Sequence, residues 1–238
     1  MNLKFLLLLS FLSLSPIFLS AQSAYNKVMV CGAMSNVMKK GMLEGTIYLD
    51  SLSDKQYLYG LGPKEYLKGE LLIIDGRSYL SYISAEGNIQ IEETYVVKAP
   101  FFVYTRVKNW EKYALPKEIT TLKQLEHYLD TMSQHRSRPF AFRLEGQYAK
   151  VHFHIQNLPT GTVIKSPQDA HIGQAKFERI DTFGEIIGFF STQHQTIFTH
   201  HDSYIHMHFI DAARTEMGHI DDLHFDHASE IKLYLPKE

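Results

Sequence analysis

The stretch GELLIIDGRSYLSYI, residues 69–83, constrains the fold more than any other. Two apolar runs flank Asp75-Gly76, and an Asp-Gly pair readily supplies the positive φ of a tight hairpin turn. SAEGNIQI then continues through Gly87 into another strand. The same grammar, a short β-branched or aromatic run between turn residues, recurs in FFVYTRV, YAKVHFHI, GEIIGFF, SYIHMHFID and EIKLYL. Helix signals are fewer. TTLKQLEHYLDTM sets Leu122, Leu125, Leu129 and Met132 on one helical face, with Thr120 or Thr121 as the cap. YNKVMVCGAMSNVMKKGM reads as helix or strand, and PQDAHIGQAKFERI predicts a short helix. Hairpins with few helices predict an α+β, mostly β protein rather than alternating βαβ units. No internal repeat or low-complexity tract interrupts the pattern.

The first residues follow another rule. MNLKFLLLLSFLSLSPIFLSAQS has a basic start, a long apolar run and a small-residue boundary at Ser20-Ala21. That layout predicts a signal peptide over 1–21, cleaved near Ala21, and hence a periplasmic or secreted protein. Serines and Pro16 interrupt the run, which is short of the roughly 20 apolar residues of a membrane span, so no stable membrane anchor is expected. Residues 22–238 form one domain, divisible into halves at 22–133 and 134–238. At 45% hydrophobic and 21% charged, the composition is globular. A formal net charge of -2 provides no field for nucleic acid. Cys31 is the sole cysteine, so no internal disulfide can form. It sits in the apolar run VMVCGAM, where a buried, inert thiol is expected.

SYIHMHFIDAARTEMGH carries the chemistry. Strand residues two apart share a face, so His206 and His208 project together, with Tyr204, while Ile205, Met207 and Phe209 face the core. The segment DAARTEMG turns the chain and returns His219 on the next strand. Gly218 permits close backbone approach there. Three imidazoles gathered this way form a site of the kind catalytic zinc uses, with a coordination position left open. A chance His-x-His on a strand is the competing reading. VHFHI supplies a second such pair, His152 and His154, read as partly exposed strand histidines with only His171 as a conceivable third. Glu70 opens the GELLIIDG strand and is either solvated or functional. Arg143 alternates with apolar neighbours in FAFRLEGQY and so points inward, where it requires an anionic partner, structural or substrate.

Taken in order, these segments resemble the alpha-acetolactate decarboxylase family. YLYGLGPKEYLKGELLIIDGRSYLSYISAEGNI, APFFVYTRV, RPFAFRLEGQYAKVHFHIQNLP and FGEIIGFFS match weakly one by one but fall in the family's order. YIHMHFIDAARTEMGHIDDLHF is the specific match, to the family's Tyr-His-Leu-His-Phe then Gly-Gly-His metal motif. The resemblance runs from about Val28 to about Leu235. It implies two packed mixed-sheet halves with few helices, often dimeric, and a metal cleft in the C-terminal half. It implies that His206, His208 and His219 are metal ligands, zinc foremost, with Glu70 and Arg143 as the active-site glutamate and arginine. The family adds a second glutamate from a C-terminal tail. Here the tail ends at Glu238, the candidate for that role, with Glu230 behind it. Met217-Gly218 also replaces the family's glycine pair.

The activity so implied is conversion of 2-acetolactate, a 2-hydroxy-3-keto acid, to acetoin through a metal-stabilised enediolate. In that scheme Arg143 holds substrate oxygens and Glu70 moves protons. Two other classes stay open: a metal-dependent ester or lactone hydrolase on the same scaffold, and an exported metal- or ligand-binding protein without turnover.

Overall fold

A computed structural model describes residues 25–225 and 230–238. The signal-peptide expectation, residues 1–21, lies outside the described residues. In chain order the elements are β1 (Met29–Gly32), α1 (Met34–Lys40), β2 (Ile47–Tyr48), β3 (Leu58–Pro63), β4 (Glu70–Ile74), β5 (Arg77–Ile83), β6 (Ile89–Glu93), β7 (Lys98–Ala99), β8 (Phe101–Arg106) and β9 (Trp110–Ala114). Then follow α2 (Leu122–Met132), β10 (Phe140–Ile155), α3 (Pro167–Ala170), β11 (Ala175–Phe190), β12 (Ile205–Asp211), β13 (Met217–His224) and β14 (Lys232–Pro236).

Several local expectations hold for physical reasons. Asp75 and Gly76 both take positive φ, 46° and 79°, and turn β4 into β5. Thr121 caps α2, accepting from the Gln124 amide while Gln124 reaches back, a reciprocal capping box. Leu125 and Leu129 of α2 are buried. The ambiguous segment around Cys31 divides: it is strand through Gly32 and helix from Met34.

Two six-stranded sheets make the body. The first runs β1-β8-β3-β4-β5-β6 and the second β11-β12-β13-β10-β14-β9. In the second, β10 and β11 also pair, so the ladders among β10, β11, β12 and β13 return on themselves. The mostly β, two-sheeted architecture is as expected, and the ladders of both large sheets are antiparallel, a narrower result than mixed sheets. The chain crosses from one sheet to the other between Arg106 and Trp110, upstream of a division at 133/134. The reason is packing: β9 pairs with β14, and Leu125 and Leu129 enter the second sheet's core.

Strand alternation decides what meets what. Leu71 and Ile73 of β4 enter one cluster, with Phe102, on the far side of the first sheet. Leu72 and Ile74 face the opposite way, into a seam shared with Ala141, Ile187, Phe189, Ile210 and Met217 of the second sheet. Glu70 has the parity of Leu72 and therefore points into that seam. On β12, Ile205, Met207 and Phe209 fill the second sheet's own core, as expected. Their neighbours point into the seam.

Candidate metal centre

The alternation that buries Met207 turns His206 and His208 towards the first sheet. His208 pairs with His219 across the β12–β13 ladder, so the third imidazole arrives beside the other two. Gly218 makes the approach possible: a Cβ there would lie 2.5 Å from the carbonyl oxygen of His154. From the opposite sheet comes Glu70, its Oε2 3.5 Å from His208 Nε2. Tyr204, expected on the histidine face, instead precedes β12 and packs edge-on against Phe190.

The three histidines offer ligand atoms that all lie within 4.8 Å of one another. His206 Nε2 and His219 Nδ1 are 3.1 Å apart. Nitrogens bound to a tetrahedral zinc at 2.0–2.1 Å sit about 3.3 Å from each other, so this spacing fits a shared cation. His208 Nε2 is buried with no hydrogen-bond partner. A buried ring nitrogen without a partner is costly, and a cation would satisfy it. The donor set therefore fits a divalent metal.

The electrostatics point the same way. Burial holds His206 and His219 well below the ordinary histidine range, and neighbouring histidines add to the effect. Burial, reinforced by His154, brings His208 down to about 3. All three are thus neutral ligands at physiological pH, the form that binds metal. Glu70 moves oppositely. Burial raises its carboxyl well above the usual range, against the Gln156 amide, which donates to Oε1 at 3.3 Å.

The pocket over the histidines is small, with a cavity volume of about 30 Å³. Glu70, His206 and His219 line it, but so do His154, Gln156, His171, Gln174 and His200. His154 was read from the sequence as one of a pair of partly exposed strand histidines. It is 5% exposed, and its ring centroid lies 4.8 Å from that of His219. Its ladder partner is His219 itself. The strand spacing of VHFHI carried the signal. What the sequence could not supply was the pairing of β10 with β13. His152, by contrast, stands outside this group, against Glu178 at 2.5 Å.

Arg143 and Glu238 are not brought to the histidines. Arg143 shares the seam face, but Ile187 stands between: it pairs with Arg143 on one side and His208 on the other. The guanidinium is held by Glu145 at 2.8 Å and Glu185 at 2.9 Å, above the ring of Tyr234. The anionic partner that the sequence pattern required is structural. Glu238 accepts from the Ser137 amide at 3.1 Å, at the end of β14 that carries Pro236. Glu230 stands 3.7 Å from Lys112.

Comparison with known proteins gives one consistent result. The family described as Alpha-acetolactate decarboxylase matches residues 30–235. The chain is 27% identical over 219 residues to the Alpha-acetolactate decarboxylase of Brevibacillus brevis, covering 88% of this chain and 71% of that protein. Its fold is similar to the crystal structure of alpha-acetolactate decarboxylase from Bacillus subtilis strain 168, with a TM-score of 0.70 at 21% identity over 89% of this chain and 85% of that one. A Staphylococcus aureus protein of unknown function, similar to the same enzyme, superposes with a TM-score of 0.69 at 20% identity, covering 87% and 84% of the two chains. With most of its length matched by the family, and a buried histidine centre formed where the family motif falls, the chain belongs to the alpha-acetolactate decarboxylase family.

Proposed function

We propose that this protein is a metal-dependent decarboxylase that converts 2-acetolactate to acetoin. The observation that carries the reading is the buried group of His206, His208 and His219 with Glu70 3.5 Å from His208, in a chain of this family. The three histidines would hold the ion, zinc by the chemistry of a three-nitrogen site. When bound it would supply a Lewis acid for the substrate's hydroxyl and ketone oxygens.

The chain's own residues provide the rest. Loss of carbon dioxide from 2-acetolactate leaves an electron pair on the carbon beside the ketone, and that carbon must take up a proton. Glu70 is the acid placed to deliver it. Burial favours its protonated form, and the Gln156 amide fixes one oxygen and leaves Oε2 towards the histidines. The seam around Glu70 keeps bulk water away: Leu72, Ile187 and Ile210 are buried there. The basic start, apolar run and Ala21 boundary of residues 1–21 support export of the mature chain.

The test is direct. The mature protein is purified, its metal measured, and acetoin release from 2-acetolactate followed beside hydrolysis of activated esters. Metal near one equivalent and turnover of 2-acetolactate alone are expected. Ester hydrolysis without acetoin would replace this reading with the hydrolase one, and full metal in His206→Ala and His208→Ala would remove the centre.

A further inference from the structure

We propose that His154, Gln156 and Gln174 form the wall of the pocket that binds the substrate's carboxylate, a part that Arg143, paired with Glu145 and Glu185, does not play. The proposal rests on the 2-acetolactate reading and names the side chains that would select its acid group.

The first observation is geometric. His154 Nδ1 lies 2.8 Å from Asp221 Oδ1, so the carboxylate accepts from the ring and fixes its orientation. That leaves Nε2 for the ring's one further hydrogen bond. Two amide nitrogens contend for it, Gln156 Nε2 at 3.3 Å and Gln174 Nε2 at 3.2 Å. One ring nitrogen makes a single in-plane hydrogen bond. One amide donor is therefore always surplus, in a wall that faces the pocket.

The second observation concerns the other end of the same Gln156 amide. Gln156 is 5% exposed, yet its Oε1 has no hydrogen-bond partner. Buried polar atoms are nearly always satisfied, so an orphan beside a cavity is open to a partner from the pocket. A 2-hydroxy acid matches both ends of this deficit. Its carboxylate takes the surplus amide hydrogens of Gln174 and Gln156, and its hydroxyl donates to Gln156 Oε1. The wall stands beside His219, whose ring is 4.8 Å from that of His154, so an acid held there presents its hydroxyl to the histidine centre. Arg143 is engaged elsewhere, paired with Glu145 and Glu185 across Ile187.

The experiment uses the mature protein loaded with zinc, and 2-hydroxyisobutyrate as the probe, an acid with the tertiary hydroxyl but no ketone to decarboxylate. Affinity is read by calorimetry and zinc by elemental analysis for the wild type, His154→Ala and Gln174→Ala. Gln174 is only half-buried, so its variant keeps the fold even where His154→Ala does not. The expected result is full zinc in both variants, with the dissociation constant raised about tenfold or more, the scale of a lost hydrogen bond to a charged group. Unchanged affinity in Gln174→Ala, or no binding by the zinc-loaded wild type, would overturn the proposal. A wild type that binds the probe but releases no acetoin from 2-acetolactate defeats the decarboxylase reading and leaves this one standing.

Discussion

Two polar clusters share the seam between the sheets, and they are built on opposite principles. One gathers His206, His208, His219 and Glu70. The other gathers Arg143, Arg214 and Lys232 around Glu145 and Glu185. Ile187 separates them by a single strand. In the second cluster every acid meets a base at ion-pair distance, and each side chain named retains some contact with water. Its charges are matched pair by pair, with three bases over two acids, although Arg143 Nε and Arg214 Nη1 are left without a hydrogen-bond partner. The first cluster places like groups together. Its imidazoles are pushed towards the neutral form, its carboxyl likewise, and His208 Nε2 has no hydrogen-bond partner. Such a group is completed only by something that arrives. The two patches thus differ in burial as well as in pairing: the ion pairs tie β10, β11, β14 and the β12–β13 turn of one sheet together, while the buried imidazoles are arranged to bind.

The largest effect should follow from opening the first cluster. His206→Ala with His208→Ala removes two of three ligands. Metal content should fall to near zero and acetoin formation by about a thousandfold or more, since the Lewis acid goes with the ligands. Glu70→Gln separates chemistry from binding. It should keep the metal and lower kcat by about a hundredfold to ten-thousandfold, the range for a positioned acid. It should not cost stability. Burial raises the Glu70 carboxyl, so the folded state at neutral pH carries a group that resists ionisation. A raised carboxyl favours the fold below its unfolded value near 4.5 and disfavours it as pH rises through the folded one. The metal-free Gln variant should therefore melt at least as high as the wild type at pH 7. A lower melting temperature would show that Glu70 supports the fold rather than the reaction.

How much of this contrast was legible beforehand depends on the range of the contacts. The face shared by His206 and His208 follows from strand parity, and the return of His219 from a short hairpin, so three ligands could be read locally. Glu70 lies on another sheet, and only the family resemblance drew it in. His154 had the same i, i+2 spacing as the real pair. Its place depends on β10 pairing with β13, and no local pattern records a pairing between strands so far apart in sequence. Arg143 was correctly read as inward-facing, but its partners Glu145 and Glu185 are charges that look solvated in the sequence. β10 and β11 run longer than the segments YAKVHFHI and GEIIGFF, each passing through a glycine, Gly146 and Gly184. They face each other in the ladder, where a Cβ on Gly184 would lie 2.5 Å from the Ile210 carbonyl oxygen. Glu238 was a candidate for the family's tail glutamate without a motif behind it, and it accepts from the Ser137 amide at 3.1 Å.

The clusters should also answer to acid in different ranges. Unfolded histidines titrate near 6.5, while the folded values lie well below this, at about 3 for His208. Above pH 6.5 neither state binds the proton and stability is flat. Below it the unfolded chain takes up protons that the folded chain refuses, so metal-free protein should lose stability steadily as pH falls. The second cluster has the opposite kind of shift. Lys232, then Arg143, hold Glu145 below the usual carboxylate range. Its contribution is present above about 4.5 and is lost only as pH falls through the lowered value. Urea midpoints between pH 7 and 4 separate the two. His208→Gln should flatten the slope between 6.5 and 5, and Glu145→Gln should flatten it only below about 4.5. A histidine variant with an unaltered slope would mean that the folded imidazoles titrate normally.

The smallest expected effect is the most telling about Arg143. Arg143→Ala removes the base between Glu145 and Glu185, but Lys232 still reaches Glu145 at 2.7 Å and Arg214 still reaches Glu185. Neither acid is left alone, and the Arg143 side chain is 23% exposed, so water shares the burden. The cost should be about 1–2 kcal/mol, a few degrees of melting temperature in a domain of this size. Metal content and the KM for 2-acetolactate should stay near wild type, because Ile187 keeps the guanidinium out of the pocket. The opposite pattern, a KM raised tenfold with the melting temperature untouched, would mean that Arg143 leaves its two glutamates when substrate binds. The division between an ion-paired cluster and a binding one would then not survive the catalytic cycle.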